Sequence, residues 1–382
     1  MIARAQYQQQ VERALRRNPV VALLGPRQCG KTTLARQFLP ANYPSYFDLE
    51  DPVTAALMEN PFTALQGLQG LVVIDEAQRQ PRLFPVLRVL ADRSENPATF
   101  LVLGSASPEL SRQASESLAG RVEIIEMRGF DLGEVGIEKE DALWQRGGFP
   151  RSFLAGQEED SVVWRKNFIR TFLERDLAAL GFGLSPALMG RFWVMLAHYH
   201  GQLWNGSEIA ASLGISPNTA RSYLDALEQT YMVRRLQPWY ANLGKRLVKT
   251  PKIYFRDSGI FHTFLGLHQS GEILRHPKLG ASWEGFALEE MLQALQPDEA
   301  YFYAVHSGSE MDLLLIRNGR RLGVEFKRMD APRMTKSLGI AIRDLGLDEL
   351  WVVYPGNRTY ALSDKITVRP LSSCLSWNPE VL

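Results

Sequence analysis

Two short stretches near the start of the chain combine residue types that can handle a phosphate chain. The first, Gly25-Pro26-Arg27-Gln28-Cys29-Gly30-Lys31-Thr32 followed by Thr33, fits the spacing GxxxxGK[ST]. In that spacing successive backbone N–H groups wrap phosphate oxygens, and Gly30 lets the backbone come close. Lys31 reaches the terminal phosphates and the Thr32 hydroxyl can ligate magnesium. The second stretch, LVVIDEAQ, sets four apolar residues before Asp75 and Glu76. Asp75 would hold the magnesium through its water shell, and Glu76 would polarise the attacking water. Binding and hydrolysis of ATP with Mg2+ is the chemistry expected of the pair. A third run, TFLVLGSAS, ends in Ser105 and Ser107, which either sense the γ-phosphate or cap the next helix. In SESLAGRVEIIEM, Arg121 opens a strand after a helix. It either acts as a finger on a neighbouring subunit's nucleotide, which requires an oligomer, or solvates a helix end. Cys29 reads as a small residue that fits the loop rather than a redox switch.

A second grouping of chemistry-bearing residues lies in SEMDLLLIRNGRRLGVEFKR, residues 309–328. Asp312 sits early in one apolar run; Glu325 and Lys327, two apart on the next, share one face of a strand. An Asn318-Gly319 turn makes the two runs an antiparallel hairpin, so the start of the first lies beside the end of the second. Asp312 and Glu325 can then converge on Mg2+ or Mn2+, with Lys327 orienting or activating a water that attacks a phosphodiester. Glu284 on the preceding helix adds a ligand or a contact behind the ligands, with Glu289 and Glu290 as substitutes in another register, and Glu310 flanks the aspartate. The plainer reading is a charged hairpin.

These groups need elements to hold them. A buried strand over Val20–Leu24 and a helix from near Thr32 frame the phosphate loop, and LVVID reads as a strand buried on both faces. The stretch GGFPRSF places a boundary near residue 145. Beyond it, WRKNFIRTFLERDLAAL reads as a helix whose Arg165, Lys166, Arg170 and Arg175 form a solvated face. A helix over Ser207–Leu213, a turn at Gly214, and a second helix opened by Ser216 and Pro217 make a helix-turn-helix, with the basic segment that follows supplying the strands of a wing. Asn218, Thr219, Arg221 and Ser222 then sit at the exposed start of the recognition helix, while Lys245, Arg246 and Lys249 reach DNA phosphates from the wing. Contact with a protein or a lid on the ATPase is the competing use. In the last third the order is helix (SWEGFALEEMLQAL), three strands (AYFYAVH, MDLLLIR, RLGVEFKR), helix (Thr335–Leu345) and strand (ELWVVYP), with turns at Ser307-Gly308 and Asn318-Gly319.

Length and composition agree with this division. A chain of 382 residues exceeds one ordinary core, and the expected parts are an ATPase domain over 1–145, a helical connector over 146–204, a winged helix over 205–274 and an α/β domain over 275–382. With 45% hydrophobic and 22% charged residues the composition is globular. No apolar run suits a signal peptide or a bilayer span, and two cysteines suit a reducing cytoplasm, so a cytoplasmic location without membrane is expected. The net charge of +1 is unremarkable, yet Tyr231 to Arg256 carries seven basic residues and no acidic one, which favours DNA as a local partner.

Taken in order, GPRQCGKTTL, VVIDEAQRQPRLF, LVLGSASPEL, LAGRVE, GGFP, FLERDL, SPNTARSYLDALEQTYMV, KRLVKTPKIYFRDSGI and SEMDLLL with VEFK cover nearly the whole chain. This series resembles the bacterial and archaeal AAA+ ATPases whose C-terminal region, of unassigned function, joins a winged helix to a restriction-endonuclease-like fold. The VEFK and SEMD elements are similar to the PD-(D/E)xK nuclease pattern. The resemblance implies an α/β multidomain protein with a parallel-sheet P-loop AAA+ core, a helical and winged-helix middle and a nuclease-like α/β C-terminal domain. It further implies a homo-oligomer, a ring such as a hexamer, if Arg121 acts in trans. Three functions remain open: an ATPase that remodels DNA at forks, junctions or ends by unwinding or branch migration; an ATP-gated nuclease in defence or repair; and a nucleotide-dependent switch that binds protein partners.

Overall fold

The computed structural model describes residues 2–40, 43–93, 98–105, 116–240, 248–305, 310–333 and 336–375. They form two compact units. The first takes in Met1–Phe130 together with Glu174–Gly183 and Gln229–Tyr231, and the second the remainder.

In the first unit five parallel strands form one sheet: β1 (Val20–Gly25), β2 (Tyr46–Asp48), β3 (Gly70–Asp75), β4 (Ala98–Ser105) and β5 (Val122–Glu126), in the order β2-β3-β4-β1-β5. Their unbroken apolar sequences follow from burial on both faces. Alternate residues enter separate cores: Val20, Ala22, Leu24, Val72, Ile74, Phe100 and Val102 on one side, Val21, Leu23, Val73, Leu101, Leu103 and Ile125 on the other. Each fully buried Leu, Ile or Phe side chain stabilises the unit by about 1.5–3 kcal/mol before entropy is counted. Because all five strands run the same way, the C-terminal ends of β1, β3 and β4 gather at one edge of the sheet, and Gly25 pairs with Ser105 there. Arg121 precedes β5 at the opposite edge, since Val122 pairs with Val20.

In the second unit a three-stranded antiparallel sheet has the order β6 (Gln202–Leu203), β8 (Lys252–Phe255), β7 (Val233–Leu236). The helix-turn-helix precedes β7: helices Gly206–Leu213 and Pro217–Gln229 flank Gly214, whose φ of 67° supplies the left-handed turn. The Ser216 hydroxyl caps the second helix by accepting from the Thr219 N–H at 3.0 Å. A six-stranded mixed sheet follows, of order β13 (Tyr360–Ser363), β14 (Ile366–Pro370), β12 (Glu349–Tyr354), β11 (Arg320–Phe326), β10 (Glu310–Arg317), β9 (Glu299–Ala304). The helix Leu279–Leu295 precedes it and Lys336–Leu345 links β11 to β12, so the expected helix and strand order is present. Asn318 and Gly319 both have positive φ, 50° and 78°, as a type I′ hairpin turn requires. Strands β13 and β14 extend the sheet beyond that order. The Ser307-Gly308 turn and Thr335 lie outside the described residues.

Two readings of charge are corrected. Arg165 is fully buried, not part of a solvated face: its guanidinium donates to the Thr263 hydroxyl at 2.9 Å and the Ser161 hydroxyl at 2.8 Å. A buried arginine is tolerated when its donors are used in this way; Lys166, Arg170 and Arg175 are exposed as expected. The uninterrupted basic run is also largely neutralised in space. Arg234 and Arg256 pair with Glu289, Arg235 with Asp225 and Glu228, and Lys252 with Glu310. No helix among the described residues is long and apolar enough to cross a membrane.

Candidate functional site

The phosphate loop is shaped by its backbone. Gln28 and Gly30 both take positive φ, 63° and 105°. At Gly25 a Cβ would stand 2.0 Å from the Met127 carbonyl oxygen, so no larger residue fits there. Cys29 is buried as a small packing residue. Arg4, which the sequence reading overlooked, braces the loop: its guanidinium donates to the carbonyls of Cys29, Arg128 and Gly129, each at 3.0 Å. Nothing in its N-terminal position signals this, because its partners lie up to 125 residues away.

Lys31 is buried and donates its ammonium to the Gly25 and Pro26 carbonyls at 3.0 and 2.8 Å. The Thr32 hydroxyl donates to Asp75 Oδ2 at 2.7 Å, the pairing expected of a hydroxyl and a carboxylate that share a magnesium ion. Tyr46 on β2 donates to the same oxygen at 2.8 Å, and the Glu76 N–H donates to the other at 2.9 Å. Asp75 is thus fixed in orientation. Glu76 follows β3 in left-handed backbone (φ 55°), an uncommon conformation for a non-glycine residue that marks functional turns. Burial raises its pKa above the ordinary range, while Gln78 and Lys31 pull it back. Ser105, 2% exposed, has a hydroxyl with no hydrogen-bond partner among the described residues. A buried orphan hydroxyl at this edge fits a phosphate oxygen. Ser107 lies outside the described residues.

Arg27 is drawn sideways. It pairs with Asp176, 3% exposed, and with Glu50 at 2.8 Å; Glu50 also accepts from Arg79 at 3.0 Å. Asp176 ends a π-helical turn over Phe172–Asp176, in a segment the sequence places in the connector. Thr33, next to Thr32, is exposed, while Leu34 and Ala35 after it are buried. At the opposite edge, Arg121 donates to both Asp92 oxygens at 2.6 and 2.9 Å. It is committed to an exposed ion pair rather than to the nucleotide edge of its own sheet.

In the second unit Glu284, Asp312, Glu325 and Lys327 come together, as the hairpin register implies: Leu313 pairs with Val324, which sets Asp312 opposite Glu325. Asp312 accepts from the Phe326 N–H at 2.9 Å, and Lys327 bonds Glu325 at 2.6 Å, leaving Glu325 Oε2 buried without a partner among the described residues. Glu284 is the helix carboxylate that faces the cluster; Glu289 instead pairs with arginines and Glu290 accepts from the Leu132 N–H at 2.7 Å. The helix is seated by His200, whose Nδ1 accepts from the Phe255 N–H at 2.9 Å while Nε2 faces the Ala281 carbonyl at 3.0 Å. Complete burial pushes this imidazole down to about 3, so it stays neutral. Gly285 allows the approach, since a Cβ there would stand 2.3 Å from Nε2.

Two residues of β8 complete the cluster and were missed in sequence. Lys252, with a side chain 6% exposed, bonds Glu310 and stands 3.7 Å from Asp312 and 4.0 Å from Glu284. Tyr254 donates to Glu284 at 2.6 Å. Burial works against the Lys252 charge, but Asp312, Glu284 and Glu310 together hold the ammonium protonated. Burial, reinforced by Asp312, pushes Glu284 up to about 8 and Glu325 up to about 7. Among the described residues no group of three or more His, Cys, Asp or Glu side chains is spaced to hold a metal ion. The expected ligands Glu284, Asp312 and Glu325 thus lie together, with the Lys252 ammonium beside Glu284 and Asp312.

At the helix-turn-helix, Asn218, Arg221 and Ser222 are exposed and Thr219 partly so. Thr219 serves the cap and the Ser222 hydroxyl donates to the Asn218 carbonyl, so only Asn218 and Arg221 offer side-chain groups outward. A cavity of about 480 Å³ is lined by Trp204, Asn218, Arg221, Arg235, Gln237 and Lys249. Arg221 and Lys249 have no acidic partner among the described residues. Lys245 and Arg246 lie outside them.

Three family models match successive parts of the chain. Residues 17–136 match the family described as "AAA domain", and residues 137–271 and 279–374 match two families described as domains of unknown function, DUF8612 and DUF4143. Among solved structures, the Walker-type ATPase PABY2304 of Pyrococcus abyssi is 16% identical over 69% of this chain and 96% of that one, with a TM-score of 0.48. The DNA clamp loader delta protein YqeN of Bacillus subtilis is 13% identical over 58% of this chain and 88% of that one, with a TM-score of 0.27. Two relatives, the uncharacterized proteins Rv2008c of Mycobacterium tuberculosis and Mb2031c of Mycobacterium bovis, are each 50% identical over 98% of this chain and 85% of their own. The chain belongs to the family of these mycobacterial proteins, and its first unit is built around an AAA-type P-loop ATPase domain.

Proposed function

We propose that the protein hydrolyses ATP with Mg2+ and uses the turnover to act on DNA. The observation that carries the ATPase reading is the gathering of Lys31, the Thr32–Asp75 pair, Glu76 and the orphan Ser105 hydroxyl at one edge of a parallel sheet. Lys31 exchanges two loop carbonyls for the terminal phosphate oxygens. Glu76 orients the attacking water, and its burial makes it a more basic carboxylate for that task. Thr32 and Asp75 would hold magnesium, which would supply positive charge to the phosphate oxygens. Ser105 gains its missing partner while the γ-phosphate is present, which supports the sensing role over the helix cap. A trans role for Arg121, and with it a ring oligomer, requires that it leave Asp92.

The DNA part rests on the helix-turn-helix with its three-stranded sheet, which supports a winged helix, and on the groove where Arg221 and Lys249 stand uncompensated. The helix and strand order of the last third supports a restriction-endonuclease-like fold. The experiment is an ATPase panel with no DNA, duplex, forked and four-way DNA. Stimulation of several-fold is expected, falling steeply with salt as phosphate contacts are screened, and lost in Arg221→Glu/Lys249→Glu. No stimulation by any DNA would overturn this part and leave a nucleotide-dependent switch that binds protein.

A further inference from the structure

The C-terminal carboxylates pose a physical problem that the PD-(D/E)xK reading does not solve. Glu284, Glu310 and Asp312 converge on one point, yet that point is taken by the Lys252 ammonium. The lysine does not come from the VEFK element. Lys327 turns to Glu325 with a side chain 42% exposed, whereas Lys252 arrives from β8, a strand of a different sheet, and is nearly enclosed. With Glu284 pushed up to about 8, the Asp312 and Glu310 carboxylates already have a counter-cation in this ammonium, and a divalent ion bound between Glu284 and Asp312 would have to expel a buried charge from its partners.

We propose that Lys252 is the resident cation of this site, standing against two of the three expected metal ligands, Glu284 and Asp312, so that the C-terminal domain takes up no Mg2+ or Mn2+ there and does not cut DNA. The ammonium acts as an internal joint. It ties the three-stranded sheet, through β8, to the helix bearing Glu284 and to β10, and Tyr254 makes a second tie from the same strand. The nuclease-like domain is thereby a platform fixed to the helix-turn-helix. Its failure would leave the ATPase and DNA-binding reading standing, since that reading uses other residues.

The test uses the full-length, nucleotide-free protein and Mn2+ alone, titrated by calorimetry and by electron paramagnetic resonance of free Mn2+. The wild type and Asp312→Asn are expected to titrate alike, because neither binds a cation at the cluster. Lys252→Met, which keeps the stem and removes the charge, is expected to gain one Mn2+ per chain with an affinity at least about tenfold above the wild type. Adding Asp312→Asn to that variant should abolish the gain. Wild-type binding of one Mn2+ that Asp312→Asn removes would overturn the proposal, as would a folded Lys252→Met that gains nothing. Should Lys252→Met fail to fold, the comparison of wild type with Asp312→Asn decides the matter by itself.

Discussion

Replacing Arg4 by methionine is the perturbation that best separates the structure from the motif. Methionine preserves much of the apolar stem, so the loss is confined to the fork of donors. That fork bonds three backbone carbonyls, of Cys29, Arg128 and Gly129, and the guanidinium also lies 4.9 Å from the Tyr7 ring centre and 5.2 Å from that of Phe130. A hydrogen bond from a charged donor is worth about 1.5–3 kcal/mol. The bond to Cys29 is buried and the other two are partly buried, and neighbouring bonds do not add fully. The net cost is therefore about 3 kcal/mol rather than the sum of three. At roughly 2–4 °C per kcal/mol for a unit of this size, its unfolding midpoint should fall by about 6–12 °C. Because the Cys29 carbonyl belongs to the phosphate loop, the KM for ATP should rise several-fold while kcat falls less. Arg4→Lys, which keeps the charge but not the fork, should lie between. Differential scanning calorimetry with and without ATP identifies the transition of the nucleotide-binding unit. A midpoint within about 2 °C of the wild type together with an unchanged KM would refute the bracing role.

Three further outcomes follow from the same edge of the sheet. Glu76→Gln should retain ATP but lose turnover by roughly 10²–10⁴-fold. In the wild type, kcat/KM, which reports the free enzyme, should fall as pH drops through a value above the ordinary carboxylate range, because burial raises the Glu76 pKa and the protonated acid cannot accept from water; an acid limb at the ordinary glutamate pKa, or normal turnover in the variant, would remove Glu76 from this role. Gly25→Ala should abolish nucleotide binding or soluble expression, since the new methyl would stand 2.0 Å from the Met127 carbonyl oxygen, and a variant with wild-type KM would show that the loop relaxes freely.

The nucleotide site was legible because its determinants are local. A glycine-lysine-threonine spacing and an apolar run ending in two acids each fit within a dozen residues, and a parallel sheet brings such strand ends to one edge. The Asn318-Gly319 turn likewise fixed the hairpin register that sets Asp312 opposite Glu325. What escaped were partners supplied from afar. Arg4 and Tyr46 belong to no motif, Lys252 stands out in sequence only as one of a run of basic residues, and the roles of all three come from tertiary placement. Charge was misread for the same reason. A run with no acidic residue seemed free to meet a polyanion, but Glu228, Asp225, Glu289 and Glu310 reach it from other elements. Arg165 matched the polar face of a helical pattern and yet is enclosed, with hydroxyls and a carbonyl accepting from its Nε and Nη1 and Glu158 3.8 Å from its Nη2.

The pairing of Arg27 with Asp176 bears on how this enzyme can be taken apart. The phosphate loop is completed by a residue 149 positions downstream, and the first core is also packed by Tyr231. A fragment ending after Phe130 would keep every motif that announces an ATPase, yet it would lack the carboxylate that holds Arg27 and an aromatic ring that covers the core. Such a fragment is expected to bind nucleotide with a loose loop and to denature early. The catalytic module is thus interwoven along the chain, and neither truncation nor domain exchange at a single junction can transfer it whole.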